Sequence, residues 1–225
     1  MGLQGKVAIV TGAGQGIGRA IARRFAADGA AVVVDDIKLA DAQAVADAIA
    51  AAGGRARAAV ADVTKSDQVR AMVAATLHEF GQIDILVNNA GGGAALLGKC
   101  TPFKDAAEET WKWVIDLNLH GTMICTQAVL NHMVERRAGK IINFGSIAGV
   151  SGLLNWTDYA AAKGAIIAFT KSLAMEVGEY GLNVNCLSPG AIMCCGERDW
   201  TRGTWLRRGG WPEEVAALAA FLASD

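Results

Sequence analysis

Val7-Ala8-Ile9-Val10-Thr11-Gly12-Ala13-Gly14-Gln15-Gly16-Ile17-Gly18 decides how the rest of the chain is read. Its first four residues are apolar without alternation, which describes a strand buried on both faces of a parallel sheet. Glycines at 12, 14, 16 and 18 follow, and an Ala-rich amphipathic stretch begins at Ile17. A glycine cluster between a strand and a helix lets backbone approach a pyrophosphate. The helix start adds unpaired N–H groups and partial positive charge. Glycines also serve plain turns, so the loop gains meaning only from what flanks it. An acid closes the second apolar run at Asp35-Asp36, and Asp36 lies 18 residues beyond Gly18. That is near the spacing of a carboxylate that holds a ribose 2′-hydroxyl.

Further along, short apolar runs alternate with Ala-rich helical runs. Strands are expected at Lys6–Val10, Ala31–Asp35, Arg57–Ala61 (weaker), Ile83–Val87, Lys140–Phe144 and Asn183–Leu187. Helices are expected at Ile17–Asp28, Leu39–Ala52, Ser66–Phe80, a pair over about Asp105–Arg137, Asp158–Glu179 and Pro212–Ala223. This alternation with short connections predicts an α/β fold, a doubly wound parallel sheet of Rossmann type with right-handed crossovers. Such a sheet binds its ligand beyond the carboxyl ends of its strands. No repeat, low-complexity tract or linker interrupts the chain, so one domain over residues 1–225 is expected.

Composition narrows the function. The 225 residues carry a net charge of -1, with no basic surplus for a nucleic-acid partner. At 52% hydrophobic and 19% charged, the chain can bury a large core. No apolar run reaches the roughly 18 residues of a bilayer span, and the start lacks a secretory pattern. A cytoplasmic location is expected. Five cysteines form no CxxC pair, and the three histidines show no ligand spacing, so reduced thiols and no structural metal are expected.

With these residues in view, the sequence resembles the classical short-chain dehydrogenase/reductase family. Thr11 to Gly18 matches its Thr-Gly-x-x-x-Gly-x-Gly loop. Asp62-Val63 matches its adenine-contacting pair, and Asn88-Asn89-Ala90-Gly91 its motif after the fourth strand. Asn118, Ser146 and Tyr159-x-x-x-Lys163 match its catalytic tetrad, and Pro189-Gly190 its motif after the sixth strand. The resemblance covers residues 5 to about 190. It implies a nicotinamide dinucleotide held by Gly12, Gln15, Gly16, Ile17, Gly18, Asp36, Asp62, Val63, Asn89, Ala90, Gly91, Tyr159, Lys163, Pro189, Gly190 and Ile192. The carboxylates at 35 and 36 repel a 2′-phosphate and outweigh the neighbouring Lys38, so NAD is favoured over NADP.

Tyr159 and Lys163 are four apart on a helix and share a face. A tyrosine near pKa 10 needs a downward shift of about 2–3 units to act as a base near neutral pH. A nearby ammonium and an oxidised nicotinamide both favour the phenolate. Tyr159 is therefore read as the acid/base on a substrate oxygen. Lys163 is read as lowering its pKa and holding the nicotinamide ribose, and Ser146 as orienting the substrate oxygen. The resemblance gives Asn118 a water that links Lys163 to solvent. Hydride passes directly between substrate carbon and nicotinamide, so the protein positions and polarises.

Two departures from the family pattern stand out. Cys194 occupies the place of a threonine that binds the carboxamide. With Cys195 it forms a vicinal pair, read either as incidental thiols or as a redox control. Between Pro189 and Pro212 the expected lid, about 191–211, is shorter than usual and carries Arg198, Arg202, Arg207 and Arg208 with Trp200, Trp205 and Trp211. The family pattern also continues into a last strand, which is expected to be absent here. Leu96, Leu97, Leu153, Leu154 and Trp156 suggest an apolar pocket, and the lid arginines offer a place for an anionic group.

The leading expectation is an NAD-dependent oxidoreductase acting on an apolar secondary alcohol or ketone. Alternatives are an NADPH-dependent 3-oxoacyl-thioester reductase and a non-catalytic nucleotide-binding subunit of a larger assembly. The resemblance further implies a homo-oligomer, dimer or tetramer, packed through the long helices.

Overall fold

Strand β1 (Val7–Val10) lies inside a six-stranded sheet of order β3-β2-β1-β4-β5-β6, every neighbouring pair parallel. The other strands are β2 (Ala31–Asp35), β3 (Arg55–Ala59), β4 (Ile85–Asn88), β5 (Gly139–Phe144) and β6 (Leu182–Leu187). The helices are α1 (Gly16–Ala27), α2 (Leu39–Ala51), α3 (Ser66–Phe80), α4 (Glu108–Ile115), α5 (Gly121–Arg136), the short α6 (Ala148–Ser151), α7 (Thr157–Val177) and α8 (Pro212–Ala223). The computed structural model describes residues 2–194 and 204–225.

Two apolar layers close the sheet, and the strand pleat sorts residues between them. Ala8, Val10, Val32, Val34, Ile85 and Val87 face α1, α2 and α8. Ile9, Val33, Leu86 and Ile141 face α3, α5 and α7. Full burial on both sides explains why β1, β2 and β4 lack polar alternation. Strand β3 is one edge, and its Arg55 and Arg57 alternate with small alanines. The strand order reverses between β1 and β4, so the loops after these strands splay apart and leave a crevice.

The structure moves some expected boundaries. Strand β3 begins at Arg55 rather than Arg57 and ends at Ala59, because Arg55 already pairs with Ala31 after the Gly53-Gly54 turn. The Ala61 N–H donates to the Asp35 side chain instead of to a strand neighbour. Strand β4 starts at Ile85 rather than Ile83, and just before it the Asp84 carboxylate accepts the Val7 N–H at 2.7 Å.

The expected helix pair over 105–137 is one nearly continuous run. The segment Asp116–His120 joins α4 to α5 as a π-helical turn. The extra residue in this turn lets the side chain of Asn118 aim inward while the helix continues. At the far end, Ile192 pairs with Gly210, and the Met193 N–H donates to Gly210 O at 2.8 Å. The two ends of the expected lid are thus pinned together. Cys195, Arg198, Trp200 and Arg202, singled out in the sequence, lie outside the described residues.

Candidate active site

A cleft of about 680 Å³ runs along the carboxyl ends of the strands, from Asp36 and Asp62 at one end to Ser146, Tyr159 and Pro189 at the other. All of the residues assigned from sequence to the dinucleotide line it, save Gly18, which packs beneath it. The glycine loop is shaped by close approach. Gly12 has φ +61° and its missing Cβ would stand 2.9 Å from Ala90 Cα, so β1 and β4 touch through backbone there. A Cβ on Gly18 would collide with Gly12 O, so the first turn of α1 folds onto the loop. Helix α1 therefore presents its N-terminus to the crevice, where a pyrophosphate fits.

Asn89 ties this loop to β4. Its Nδ2 donates to Thr11 O and Gly12 O, each at 3.0 Å, and buried Thr11 Oγ1 accepts the N–H groups of Asn89 and Ala90. Asp36 Oδ2 accepts the Gly14 N–H at 3.0 Å, and Oδ1 accepts the Lys38 N–H at 3.1 Å. Asp62 Oδ1 takes Thr64 N–H and Oγ1–H, while Val63 packs against Gly121 at the start of α5. The arrangement fits an adenosine dinucleotide: a backbone cradle for phosphate, a carboxylate for ribose and a braced turn for the base.

At the other end, α7 carries Tyr159 and Lys163 on one face. The Lys163 side chain is only 3% exposed, its Nζ donates to Phe144 O at 2.7 Å, and it lies 5.5 Å from the Tyr159 ring centre. Ser146 lies beside Tyr159, where its hydroxyl favours the phenolate, and its Oγ accepts the Ala148 N–H. Asn118 is 0% exposed. Its Nδ2 donates to Gly92 O and Val114 O, each at 2.8 Å, and its Oδ1 accepts the Gly92 N–H at 3.1 Å. A Cβ on Gly91 would lie 2.6 Å from Asn118 Oδ1 and 3.2 Å from Lys163 Nζ, so the three residues meet. The residues read as a tetrad are thus brought to one end of one cleft by β5, α7 and the π turn.

A family model described as short chain dehydrogenase matches residues 6–202. The chain belongs to the short-chain dehydrogenase family. It is an oxidoreductase that acts on CH–OH or carbonyl groups. It is 43% identical to the (2S)-[(R)-hydroxy(phenyl)methyl]succinyl-CoA dehydrogenase subunit BbsD of Thauera aromatica, over 100% of this chain and 92% of that protein. It is 41% identical to the 3-oxoacyl-[acyl-carrier-protein] reductase FabG of Chlamydia muridarum, over 99% of this chain and 92% of that one. Against the L-fucose dehydrogenase of Oryctolagus cuniculus the identity is 37%, over 98% and 80%.

In the electrostatics of this short-chain dehydrogenase, burial is the leading influence on both Tyr159 and Lys163. Burial raises the pKa of Tyr159 above its ordinary value, and the Ser146 hydroxyl only partly opposes this. Lys163 is brought down to about 8 by burial, with Cys186 acting the other way. Among the protein's own groups desolvation of the phenolate is the largest influence on Tyr159; the expected lowering also counts the positive charge of an oxidised nicotinamide.

Several residues of the cleft escaped the motif reading. Trp113, Asp116 and Leu117 on the α4 side line it, and only their helical spacing from Asn118 hinted at this. The Trp156 ring meets Tyr159 edge-on at 5.4 Å and fills the space above Gly93. Cys194 lines the cleft beside Gly16, where the family pattern has its carboxamide ligand. The expected anion site loses one member, since Arg208 is paired with Glu214 at 2.7 and 2.8 Å. Among the described residues the cysteines form no disulfide and no His, Cys, Asp or Glu group suits a metal. No helix among them is long and apolar enough to cross a membrane.

Proposed function

We propose that this protein is an NAD-dependent dehydrogenase or reductase that interconverts a secondary alcohol and a ketone beside an apolar group. The observation that carries the cofactor choice is Asp36. Its carboxylate is anchored to the Gly14 N–H at the adenosine end of the cleft, where a 2′-phosphate would meet a fixed negative charge. Lys38 does not answer that charge from its side chain; only its backbone N–H reaches Asp36.

The dinucleotide, bound there, supplies the hydride acceptor or donor. In oxidation, Tyr159 Oη takes the proton of the substrate hydroxyl as the carbon loses hydride; in reduction it returns that proton to the forming alkoxide. Ser146 Oγ holds the same oxygen and fixes its direction toward Tyr159. Lys163, cationic at neutral pH, stabilises the phenolate and offers N–H donors to the ribose. Asn118 clamps Gly91 and Gly92 beneath Lys163, which keeps the nicotinamide end of the cleft in shape. Exposed Leu96, Leu153, Leu154 and Trp205 supply apolar surface for the remainder of the substrate.

Two of the relatives are named for acyl-CoA and acyl-carrier-protein substrates. This favours a substrate whose oxidisable carbon lies on an acyl thioester, as the more specific form of the same proposal. The test is dinucleotide binding, read by energy transfer from the tryptophans to NADH or NADPH. Tighter binding of NADH, with the preference lost in Asp36→Ala, is expected. Preferential NADPH binding would overturn the NAD assignment and favour the NADPH-dependent thioester reductase.

A further inference from the structure

Asp35 and Asp36 are adjacent in sequence and both border the cleft, but the fold buries the first and leaves the second half-buried. Asp36 faces the cleft rim. Asp35 is the last residue of β2, points to the α3 and α5 side of the sheet, and is 1% exposed. Its Oδ1 accepts the Ala61 N–H at 2.8 Å, and its backbone carbonyl accepts the Ala13 N–H at 2.8 Å. One residue therefore ties the glycine loop, through its main chain, to the turn that carries Asp62 and Val63, through its side chain. The second carboxyl oxygen, Oδ2, is buried without a hydrogen-bond partner. The titratable groups acting on it are Asp36 beside it, Asp62 in the braced turn and the Cys125 thiol from α5; none of them is a cation.

We propose that Asp35 is a positioning residue for the dinucleotide: it braces the Ala61–Val63 turn against the glycine loop, and it does so as an uncharged acid. An ionised carboxylate with one hydrogen bond, away from water and next to two other carboxylates, is a costly state. Burial, then Asp36 and Asp62, push its pKa up to about 8 against the opposing Ala61 bond. The proton sits on the oxygen that lacks a partner, and Asp36 alone presents charge to the ribose. This modifies the sequence reading in which both carboxylates repelled a 2′-phosphate. Above pH 8 Asp35 ionises, a third negative charge gathers around the base-binding turn, and the two phosphates of the ligand disfavour that state further. Dinucleotide affinity is then lost with rising pH. This assignment rests on the dinucleotide reading of the cleft given above.

The experiment is NADH binding between pH 6 and 10, by tryptophan energy transfer, on the intact protein and on Asp35→Asn. Asparagine keeps the acceptor for Ala61 and cannot ionise. The intact protein is expected to hold a constant Kd to about pH 8 and then to weaken by up to about tenfold per pH unit, as for loss of a single proton. Asp35→Asn is expected to keep the neutral-pH Kd within about twofold and to lose the part of the alkaline weakening due to Asp35. Lys163 titrates in the same range, so the difference between the two curves is the readout. Parallel curves overturn the proposal while leaving the NAD assignment in place. No NADH binding by the intact protein at pH 7 overturns the dinucleotide reading and this proposal together. Infrared spectra of the intact protein supply a measurement that needs no variant. A buried carboxylic-acid carbonyl band at pH 7, fading with a midpoint near 8, is expected, and its absence at pH 7 overturns the proposal.

Discussion

Tyr159 and Lys163 lie one helical turn apart, and burial acts on both by disfavouring their charged forms. It raises the phenol and lowers the ammonium, so the protein's own groups hold Tyr159 neutral and protonated around pH 7. Reduction, which needs the phenol, is expected to run without activation by alkali, whereas oxidation, which needs the phenolate, is expected to accelerate as pH rises. Paired pH–rate profiles in the two directions check this. Tyr159→Phe is expected to lower turnover about 10²–10⁴-fold while NADH binding at pH 7 is preserved. Unchanged turnover in that variant would remove Tyr159 from the acid/base role. At this scale the sequence showed which residues share a face. It did not show which way the pKa moves, because desolvation depends on chain segments distant in sequence.

The π turn at Asp116–His120 is the element on which the site's shape depends. It carries Asn118 to Gly92, where the amide makes three hydrogen bonds in a buried place. Thr122 Oγ1 donates to Asn118 O at 2.7 Å and satisfies a carbonyl that the π turn displaces. Asn118→Ala leaves the backbone of Gly92 and Val114 O short of partners. It is expected to destabilise the protein by about 2–3 kcal/mol, read by urea unfolding. The same variant is expected to weaken dinucleotide binding as Gly91 relaxes away from Lys163. The glycine loop is the second such element. Gly18→Ala places a methyl group against the carbonyl of Gly12, which only backbone movement can relieve. Loss of NADH binding with the fold retained, judged by far-UV circular dichroism, is the expected result. Periodicity located helices on both sides of residue 118 but suggested two of them. A π turn comes from one added residue and leaves no hydrophobic signature.

For the whole molecule, two groups tie stability to pH in opposite directions. Asp35 has a folded pKa of about 8, above its unfolded value of about 3.9. The native state therefore holds a proton that the unfolded chain has released, and stability declines as pH rises across that interval. His132 behaves in the opposite way. Its Nε2 accepts the Ile83 N–H at 3.2 Å, joining α5 to the entrance of β4, and burial followed by Arg136 lowers its pKa. Stability from this contact is present above the unfolded value of about 6.5 and is lost as pH falls through it. Asp35→Asn is expected to raise the melting temperature more at pH 8 than at pH 5. His132→Gln, which keeps an acceptor for Ile83 without a titrating group, is expected to flatten the acid side. Thermal melts across pH 5–9 check both, and a parallel shift at every pH would rule out the assigned titrations.

Read by itself, the sequence determined the fold class and the glycine loop, and its resemblance to the family supplied Asn118, Ser146, Tyr159 and Lys163. These are local matters: buried parallel strands demand continuous apolar runs, and backbone at a pyrophosphate demands glycine. The Asn118 clamp on Gly92 and the separation of Asp35 from Asp36 were decided by the tertiary structure alone. Each depends on segments 22 or more residues apart, or on the pleat that turns one carboxylate into the core and the next toward the cleft. Burial and hydrogen bonding then set the charge state, which identical side chains in adjacent positions need not share.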